Sequence, residues 1–276
     1  MKTYFSLFFS SCFLLIFLPF LCTFFLHGTQ ACIFLQKFDC EDFLPYLLSL
    51  QIDQNQEPEA LKSQAVLART NFIYQESQGE SSQEILENTF SEIFDTASWL
   101  RLLFLPDQYY DAVEKTKNQI LTFQETPCLV PYHRSNCGKT RDGEEVFHNS
   151  SYSYLQSVDS SWDLDAPDYL TEKTFSKEQL PESLEIQQVD SAGYVLSLKA
   201  DTTSISGESF RFDMNLHSSC FSIQLQENSI KIICKGQGHG LGLSQYGADA
   251  MAKEGNTFDE ILTWYFPKLT LSSSRS

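Results

Sequence analysis

The stretch KGQGHGLGLSQYGADAMAKEG, residues 235–255, carries the strongest local signals in the chain. Glycine occupies every second position from Gly236 to Gly242, and His239 lies in the middle of the run. If the preceding strand continues into the run, side-chain alternation puts the four glycines on one bare face and His239 on the other. A bare face lets another backbone or a flat ligand approach closely. The spacing lacks the order of dinucleotide and phosphate loops, so we expect a different kind of site here.

A helix is expected immediately after the glycine run. Ser244 is a good N-cap residue, and Gly255 is a good residue to end the helix. Thr257 and Glu260 then form a capping-box pattern that predicts the start of a second helix. The glycine run is therefore predicted to lie where a strand meets a helix, which suits a functional site.

Two patterns upstream indicate a mixed α+β fold. Residues 221–236 alternate on both sides of the turn ENS, as a β-hairpin does. Pro58 begins a helical pattern with a stripe of apolar residues on one face. The stripe consists of Leu61, Ala65, Ala68 and Phe72. Gln64 and Arg69 lie off it, so the pattern does not require them to be buried. We predict one α+β domain of helices and antiparallel strands, residues 28–276, behind an N-terminal transmembrane helix.

Residues 1–27 form a predicted targeting or anchoring element. Residues 4–26 carry no charge and are dominated by Phe and Leu, and their number is close to the ~20 residues that cross a bilayer. An uncleaved single-pass anchor fits the length of this run, and a cleaved secretory signal is the alternative. Lys2 on the short side favours a cytoplasmic N-terminus. We therefore expect a cell-membrane protein whose C-terminal domain lies outside the cytoplasm.

Acidic residues dominate the charge of the chain. The sequence has 36 Asp and Glu against 19 Lys and Arg, which gives a formal net charge of −17. A basic protein surface favours nucleic-acid binding, so the acidic composition argues against a nucleic-acid partner. A surplus of this size is typical of a well-solvated surface.

The cysteines leave three alternatives open. Six of the eight cysteines lie outside the predicted anchor, and sequence alone cannot choose their pairing. Two local disulfides suggest themselves in an oxidising compartment, Cys128 with Cys137 and Cys220 with Cys234. Zinc is an alternative at the first pair, because His133 lies between two thiols, although structural zinc usually takes a fourth ligand. Free thiols are the third alternative.

Several segments together resemble one known family. The segment GQGHGLGLSQYGADAMAKEGNTFDEILTWYFP, residues 236–267, resembles the C-terminal signature of the stage II sporulation protein D / amidase-enhancer LytB (SpoIID/LytB) family. Residues 41–70, 112–146 and 154–163 resemble the family's N-terminal and central motifs, in the family's order. The resemblance therefore covers most of the chain after the predicted anchor.

The resemblance implies a function at the bacterial cell wall. Its substrate would be peptidoglycan, and the sporulation branch is implied to cleave peptide-stripped glycan strands as lytic transglycosylases. One glutamate is the expected acid and base, because the reaction needs a carboxyl group that carries and releases a proton. The amidase-enhancer branch is implied to stimulate a partner cell-wall amidase. The resemblance implies no required cofactor.

The chain departs from the family at the residue expected to do the chemistry. The family's glutamate lies eight positions before the Glu of the segment EALK, which is Glu59 here, so its place is taken by Gln51. An amide has no proton to give at neutral pH and cannot act as a base. Losing a general acid/base typically costs about 10²–10⁴-fold in rate. The alternatives are that Asp53 substitutes, that Glu57 or Glu59 serves, or that the protein binds glycan with little or no activity.

At the other positions of its motifs, the family's residues match this sequence. The resemblance implies that these residues bind glycan. They are Arg69, His133, Ser135, Gly138, Thr140, His239, Ser244, Gln245 and Tyr246. Arg69 has a second interpretation as a structural ion pair.

Three functional hypotheses follow from the sequence. The first is a membrane-anchored glycan-binding protein that assists a partner hydrolase, and Gln51 favours it. The second is an active lytic transglycosylase that uses Asp53 or another acid. The third is an unrelated metalloenzyme built on His133 and His239, which is disfavoured because their spacing follows no metal-ligand rule.

Overall fold

The computed structural model describes residues 40–91 and 105–274, the side chains of residues 90 and 91 excepted. The predicted N-terminal anchor lies outside these residues. None of the helices in the described part combines the length and the apolarity that crossing a bilayer requires. The described residues belong to one compact unit, Cys40–Ser276.

Helices and antiparallel sheets both contribute to this unit, which confirms the predicted α+β class. The helices of the described residues are α1 (Cys40–Gln51), α2 (Pro58–Ser77), α3 (Ser82–Ser91), α4 (Asp107–Lys115), α5 (Gly143–Phe147), α6 (Gly207–Asp213), α7 (Gln245–Lys253) and α8 (Phe258–Tyr265). The strands are β1 (Gln119–Phe123), β2 (Thr126–Pro127), β3 (Tyr132–His133), β4 (Leu170–Ser176), β5 (Leu184–Val189), β6 (Val195–Ala200), β7 (Thr203–Ser206), β8 (Phe221–Leu225), β9 (Ser229–Lys235), β10 (Leu243–Ser244) and β11 (Thr270–Ser273).

The helical part of the core is built around α2. This helix packs against α1, α4, α7 and α8 and against β1, so it is buried on most of its circumference and not along the predicted stripe alone. Gln64 and Arg69 are both 0% exposed, a burial that the apolar stripe alone did not require. Buried polar side chains must find hydrogen-bond partners inside the protein, and both of these side chains find one on α1.

Four small sheets complete the described fold. Three are antiparallel, in the orders β11-β1-β2, β4-β9-β8 and β5-β6-β7. The fourth is a two-residue parallel pair of β3 and β10 that places His133 opposite Ser244. Strands β8 and β9 form the predicted hairpin, with Phe221 opposite Cys234. Apolar side chains from these two strands build a second core with β6 and α6.

The glycine run does not continue β9 as a regular strand, so the condition for a bare glycine face is not met. β9 ends at Lys235, and the glycines at 236, 238, 240 and 242 all have positive φ, between 70° and 112°. Strand residues have negative φ, so the run cannot present two alternating faces. Single bridges join it to neighbouring segments, among them Ser135 with Gln237 and Ser218 with Gly238.

The missing side chains of the run permit close packing, but the partner is the chain itself. A Cβ atom at Gly236 would lie 2.7 Å from the carbonyl carbon of Asn136. A Cβ atom at Gly242 would overlap the carbonyl oxygen of Pro131. The surface that the glycines leave bare is therefore occupied by residues 131–136 and, at Gly240, by the Tyr194 ring, and it is not a ligand-binding face.

The two helices after the run begin and end as predicted. Ser244 caps α7 by accepting a hydrogen bond of 3.1 Å from the backbone N–H of Gly247. Gly255 follows the helix with a φ of 96°, a backbone conformation that glycine adopts at little cost. Thr257 and Glu260 form the predicted capping box of α8.

Candidate functional site

Gln51 lies at the end of α1, where three glutamine side chains meet. Its side-chain oxygen accepts a hydrogen bond of 2.9 Å from Nε2 of Gln64 on α2. Its backbone carbonyl accepts one of 2.7 Å from Nε2 of Gln245, the first residue of α7. The same Nε2 lies 3.3 Å from Oε1 of Gln64. The residues Gln51, Gln64 and Gln245, which we call the glutamine cluster, thus join the N-terminal and C-terminal motifs of the sequence.

The glutamine cluster offers hydrogen-bonding groups without offering a proton. Gln64 is fully buried, whereas Gln51 and Gln245 are half-buried and reach solvent. Within the described residues, Nε2 of Gln51 and Oε1 of Gln245 form no hydrogen bond, so one donor and one acceptor remain for a ligand. A sugar hydroxyl both donates and accepts, so these two groups match what a glycan presents.

The acidic residues near Gln51 are engaged elsewhere. Asp53 is exposed, and its Oδ1 accepts bonds of 2.8 Å from the backbone N–H and from the side-chain amide of Asn55. Glu59 bonds to Lys62 at 2.5 Å and accepts a bond of 2.9 Å from the backbone N–H of Phe258. Neither carboxylate hydrogen-bonds to the glutamine cluster. The structure therefore gives no support to Asp53 or Glu59 as a replacement acid.

The Ser244 side chain is fixed by a buried carboxylate that sequence reasoning missed. Its Oγ donates a bond of 2.7 Å to Oδ1 of Asp163, and Ser160 donates another of 2.8 Å to Oδ2. Burial raises the pKa of Asp163 to about 6, although the hydrogen bonds from Ser244 and Ser160 oppose the shift. Asp163 is 0% exposed, so it positions the start of α7 and does not touch a ligand. Its position in the segment YLQSVDSSWD was the one available signal.

His133 is a structural histidine in this fold. Its Nδ1 donates a bond of 3.0 Å to the carbonyl of Leu241, and its Nε2 accepts one of 3.2 Å from the amide of Asn136. Burial lowers the pKa of His133 to about 3, with a smaller contribution from nearby His239. The ring is therefore neutral at ordinary pH, and both of its nitrogens are committed inside the protein.

His239 faces a separate cavity. Its Nδ1 accepts a hydrogen bond of 3.1 Å from the backbone N–H of Leu241, and burial lowers the pKa of its ring. It lines a cavity of about 340 Å³ together with Arg141, Glu208 and Phe212. No member of the glutamine cluster lines this cavity. The structure thus does not bring His239 into one site with Gln51.

Arg69 forms an internal ion pair with Glu41, which was the second interpretation of this residue. Its guanidinium binds both carboxylate oxygens of Glu41, at 2.6 and 2.9 Å, and also donates to the backbone carbonyls of Val113 and Gln119. The side chain is 0% exposed, so it cannot contact a sugar in this conformation. Arg69 ties α1 to α2 behind the glutamine cluster.

The other predicted glycan-binding residues differ in how deeply they are buried. Ser135 and Thr140 are buried, and their hydroxyls accept bonds of 3.1 and 2.9 Å from the backbone N–H groups of Gln237 and Val158. Gly138 and Tyr246 are half-buried. The Tyr246 hydroxyl donates a bond of 3.0 Å to the carbonyl of Asp165, which leaves the rest of the side chain beside Gln245. Among these candidates Gln245 is half-buried and contacts Gln51, and Tyr246 is its half-buried neighbour in the sequence.

Comparisons with known proteins agree with the sequence motifs. A family model described as Stage II sporulation protein matches residues 29–123, which include Gln51. The Stage II sporulation protein D of Bacillus subtilis (strain 168) is 28% identical over 258 residues, which are 85% of this chain and 74% of that protein. Its counterpart from Bacillus amyloliquefaciens is 27% identical over 86% of this chain and 75% of that protein. The Amidase enhancer of Bacillus subtilis (strain 168) is 25% identical over 78% of this chain and 38% of that protein.

These matches support the resemblance of the chain to the SpoIID/LytB family.

The candidate zinc ligands Cys128, His133 and Cys137 do not come together in the fold. Within residues 40–91 and 105–274, no group of three or more His, Cys, Asp or Glu side chains is arranged to hold a metal ion. Cys128 packs in the core around α2, whereas Cys137 packs against Cys220. His133 binds Leu241 and Asn136 through its two nitrogens. The three proposed ligands therefore do not converge.

Of the three alternatives for the cysteines, the structure has free thiols at all five described positions. Cys128 and Cys137 lie in different apolar clusters. On the hairpin, Phe221 and not Cys220 is opposite Cys234, so strand alternation turns the Cys220 and Cys234 side chains to opposite faces. Sequence proximity alone could not decide between the alternatives, since cysteine pairing depends on tertiary contacts.

Proposed function

We propose that this protein binds the glycan strands of peptidoglycan during sporulation or cell-wall remodelling and cleaves them weakly or not at all. The carrying observation is that the position of the family's acid is Gln51, whose side-chain oxygen is bound by Gln64 at 2.9 Å. An amide in this position cannot protonate a glycosidic oxygen. The unpaired donor of Gln51 and acceptor of Gln245 suit sugar hydroxyls instead.

The proposal extends to a partner and a location. A relative of this chain is called an amidase enhancer, and a protein that holds glycan without cutting it suits the role of assisting a partner amidase. The apolar run of residues 4–26 supports membrane anchoring. A single-pass anchor with a cytoplasmic N-terminus would place the glycan-binding residues on the cell-wall side of the membrane.

A combined binding and cleavage assay tests the proposal. Peptide-stripped glycan strands are incubated with the purified full chain, bound protein is measured by co-sedimentation, and anhydro-sugar ends are counted by mass spectrometry. We expect sedimentation with the glycan and no anhydro ends above a protein-free blank. A native protein that releases anhydro ends as fast as Gln51→Glu, or one that fails to bind the glycan, contradicts the proposal.

A matched pair of variants locates the binding site. Gln245→Ala removes the half-buried amide that touches both Gln51 and Gln64, and we expect glycan affinity to fall by about tenfold, which corresponds to one hydrogen bond. Gln54→Ala removes an exposed glutamine from the turn that follows α1. This control variant should leave glycan affinity unchanged. Equal losses in the two variants would mean that the glutamine cluster does not bind the glycan.

A further inference from the structure

Two cysteines that are distant in the sequence lie side by side in the fold. Cys137 packs against a buried cluster of Ala192, Tyr194 and Cys220. Its thiol donates a hydrogen bond of 3.0 Å to the carbonyl of Ala192 and also interacts directly with the Cys220 thiol. The two thiols therefore share one buried cluster.

The surroundings show what a bond between these sulfurs would fasten. The glycine run is held on one side by Ser135, whose carbonyl accepts a bond of 2.8 Å from the N–H of Gln237. It is held on the other side by His217, whose carbonyl accepts a bond of 2.9 Å from the N–H of Gly238. Cys137 lies two residues after the first contact, and Cys220 lies three residues after the second. A bond between them would join the two segments that grip the glycine run.

We propose that Cys137 and Cys220 form a dithiol site that closes to a disulfide by exchange with a carrier disulfide. The carrier is a low-molecular-weight or protein disulfide of the glutathione or thioredoxin type. The Cys137 thiolate attacks one carrier sulfur and breaks the carrier S–S bond, which releases one carrier thiol. The Cys220 thiolate then attacks the Cys137 sulfur and releases the second carrier thiol. Two protein thiols are oxidised, and one carrier disulfide is reduced to two thiols.

The order of attack follows from access and acidity. Cys137 is half-buried and reaches solvent, whereas Cys220 is 7% exposed. The hydrogen bond with Cys220 lowers the pKa of the Cys137 thiol, and the same contact together with burial raises the pKa of Cys220. A thiolate is the attacking species in exchange, so Cys137 meets the carrier first and Cys220 resolves the mixed disulfide.

Two of the three remaining described cysteines, Cys128 and Cys234, provide internal controls. Cys128 is buried in the core around α2, and its burial raises the pKa of its thiol to about 11. Cys234 is buried in the core beneath the β8–β9 hairpin. Neither shares a cluster with a second cysteine of the described residues, so exchange should be confined to Cys137 and Cys220.

Redox titration of the full chain tests this proposal independently of glycan binding. The purified protein is equilibrated with glutathione buffers of increasing oxidised fraction, quenched with acid, unfolded and alkylated. We expect mass spectrometry to show the Cys137 and Cys220 peptides passing from alkylated to linked, with Cys128 and Cys234 alkylated throughout. Cys137 and Cys220 that stay alkylated, carry only glutathione or link to other cysteines overturn the proposal.

Thermal unfolding distinguishes a Cys137–Cys220 disulfide from oxidation at other residues. Oxidation should raise the Tm of the native protein and of Cys128→Ser by about 5 °C or more, because the bond closes a long loop in the unfolded chain. Cys137→Ser should show no rise, and Cys220→Ser gives the same result if the first variant folds poorly. A rise of equal size in Cys137→Ser would also overturn the proposal.

Discussion

The side-chain amide of Gln64 donates a hydrogen bond of 2.9 Å to the side-chain oxygen of Gln51, which joins α2 to the end of α1. The donor is 0% exposed, so water cannot replace the acceptor. The side chain at position 51 must therefore supply a hydrogen-bond acceptor to the Gln64 amide, whether or not it takes part in catalysis. A glutamate meets this requirement as well as a glutamine does.

The first prediction concerns this acceptor. Gln51→Met should destabilise the protein by about 1–3 kcal/mol, because it leaves a buried amide donor unpaired. Gln51→Glu keeps the acceptor and should stay within about 1 kcal/mol of the native protein. Urea denaturation followed by circular dichroism measures both. Equal losses in the two variants would show that the Gln64 bond does not stabilise the fold.

The second prediction concerns the buried ion pair of Arg69. Arg69→Met leaves the Glu41 carboxylate without its bidentate partner, and we expect the free energy of unfolding to fall by about 3–5 kcal/mol. Lys115→Met breaks an exposed pair with Asp111 at 3.4 Å and should cost less than about 1 kcal/mol. An Arg69→Met protein of native stability that loses only glycan affinity would return Arg69 to the list of sugar contacts.

The third prediction separates close packing from backbone conformation at two glycines with positive φ. Gly255 has a φ of 96° and no atom within 4 Å of a built Cβ, whereas Gly242 has a φ of 70° and its Cβ would overlap the carbonyl oxygen of Pro131. Gly255→Ala should cost about 1–2 kcal/mol for the conformation alone. Gly242→Ala should cost about 1–3 kcal/mol more, because the packed backbone must shift.

Denaturation curves of the two glycine variants measure this difference directly. Equal free energies of unfolding would mean that the contact between the glycine run and residues 131–136 is not tight.

The fourth prediction is a pH dependence that originates at His133. Its pKa is about 3 in the folded protein and about 6.5 in an unfolded chain. Below pH ~6.5 the unfolded state binds a proton that the folded state does not, so stability falls by about 1.4 kcal/mol per pH unit as the pH decreases. Between pH 7 and pH 5 this group alone should remove about 2 kcal/mol.

His133→Asn provides the control for this pH dependence, because its amide keeps the donor to Leu241 but does not titrate. The raised pKa of Asp163 has the opposite effect, stabilising the fold as the pH falls toward 4, but both proteins contain Asp163 and the comparison cancels it. The native protein should therefore lose about 2 kcal/mol more than the variant between pH 7 and pH 5. Parallel curves would mean that His133 is protonated in the folded state.

Features set by neighbours along the chain could be predicted from the sequence. The cap at Ser244, the stop at Gly255 and the capping box at Thr257 each depend on residues within one helical turn. The β8–β9 hairpin follows in the same way from alternation and a short turn. These elements are confirmed because their determinants are local.

Features that depend on tertiary contacts could not be predicted from the sequence. The apolar stripe on α2 suggested one buried face, but partners on several sides also bury Gln64 and Arg69. The glycine spacing indicated close approach, yet only the fold reveals that residues 131–136 and Tyr194 fill the space. Asp163 gave no charge pattern that marked it as buried, and the contact of Cys137 with Cys220 crosses a large part of the sequence.

The most direct test of the central claim is the release of anhydro-sugar ends from peptide-stripped glycan strands by native protein and by Gln51→Glu. Gln54→Glu adds the same charge on the exposed neighbouring turn and serves as the control. We expect the native protein and the control to release no ends above a blank. We expect Gln51→Glu to release them at least about 10²-fold faster, since it restores the missing acid and base. Equal release by the native protein and Gln51→Glu would contradict the account.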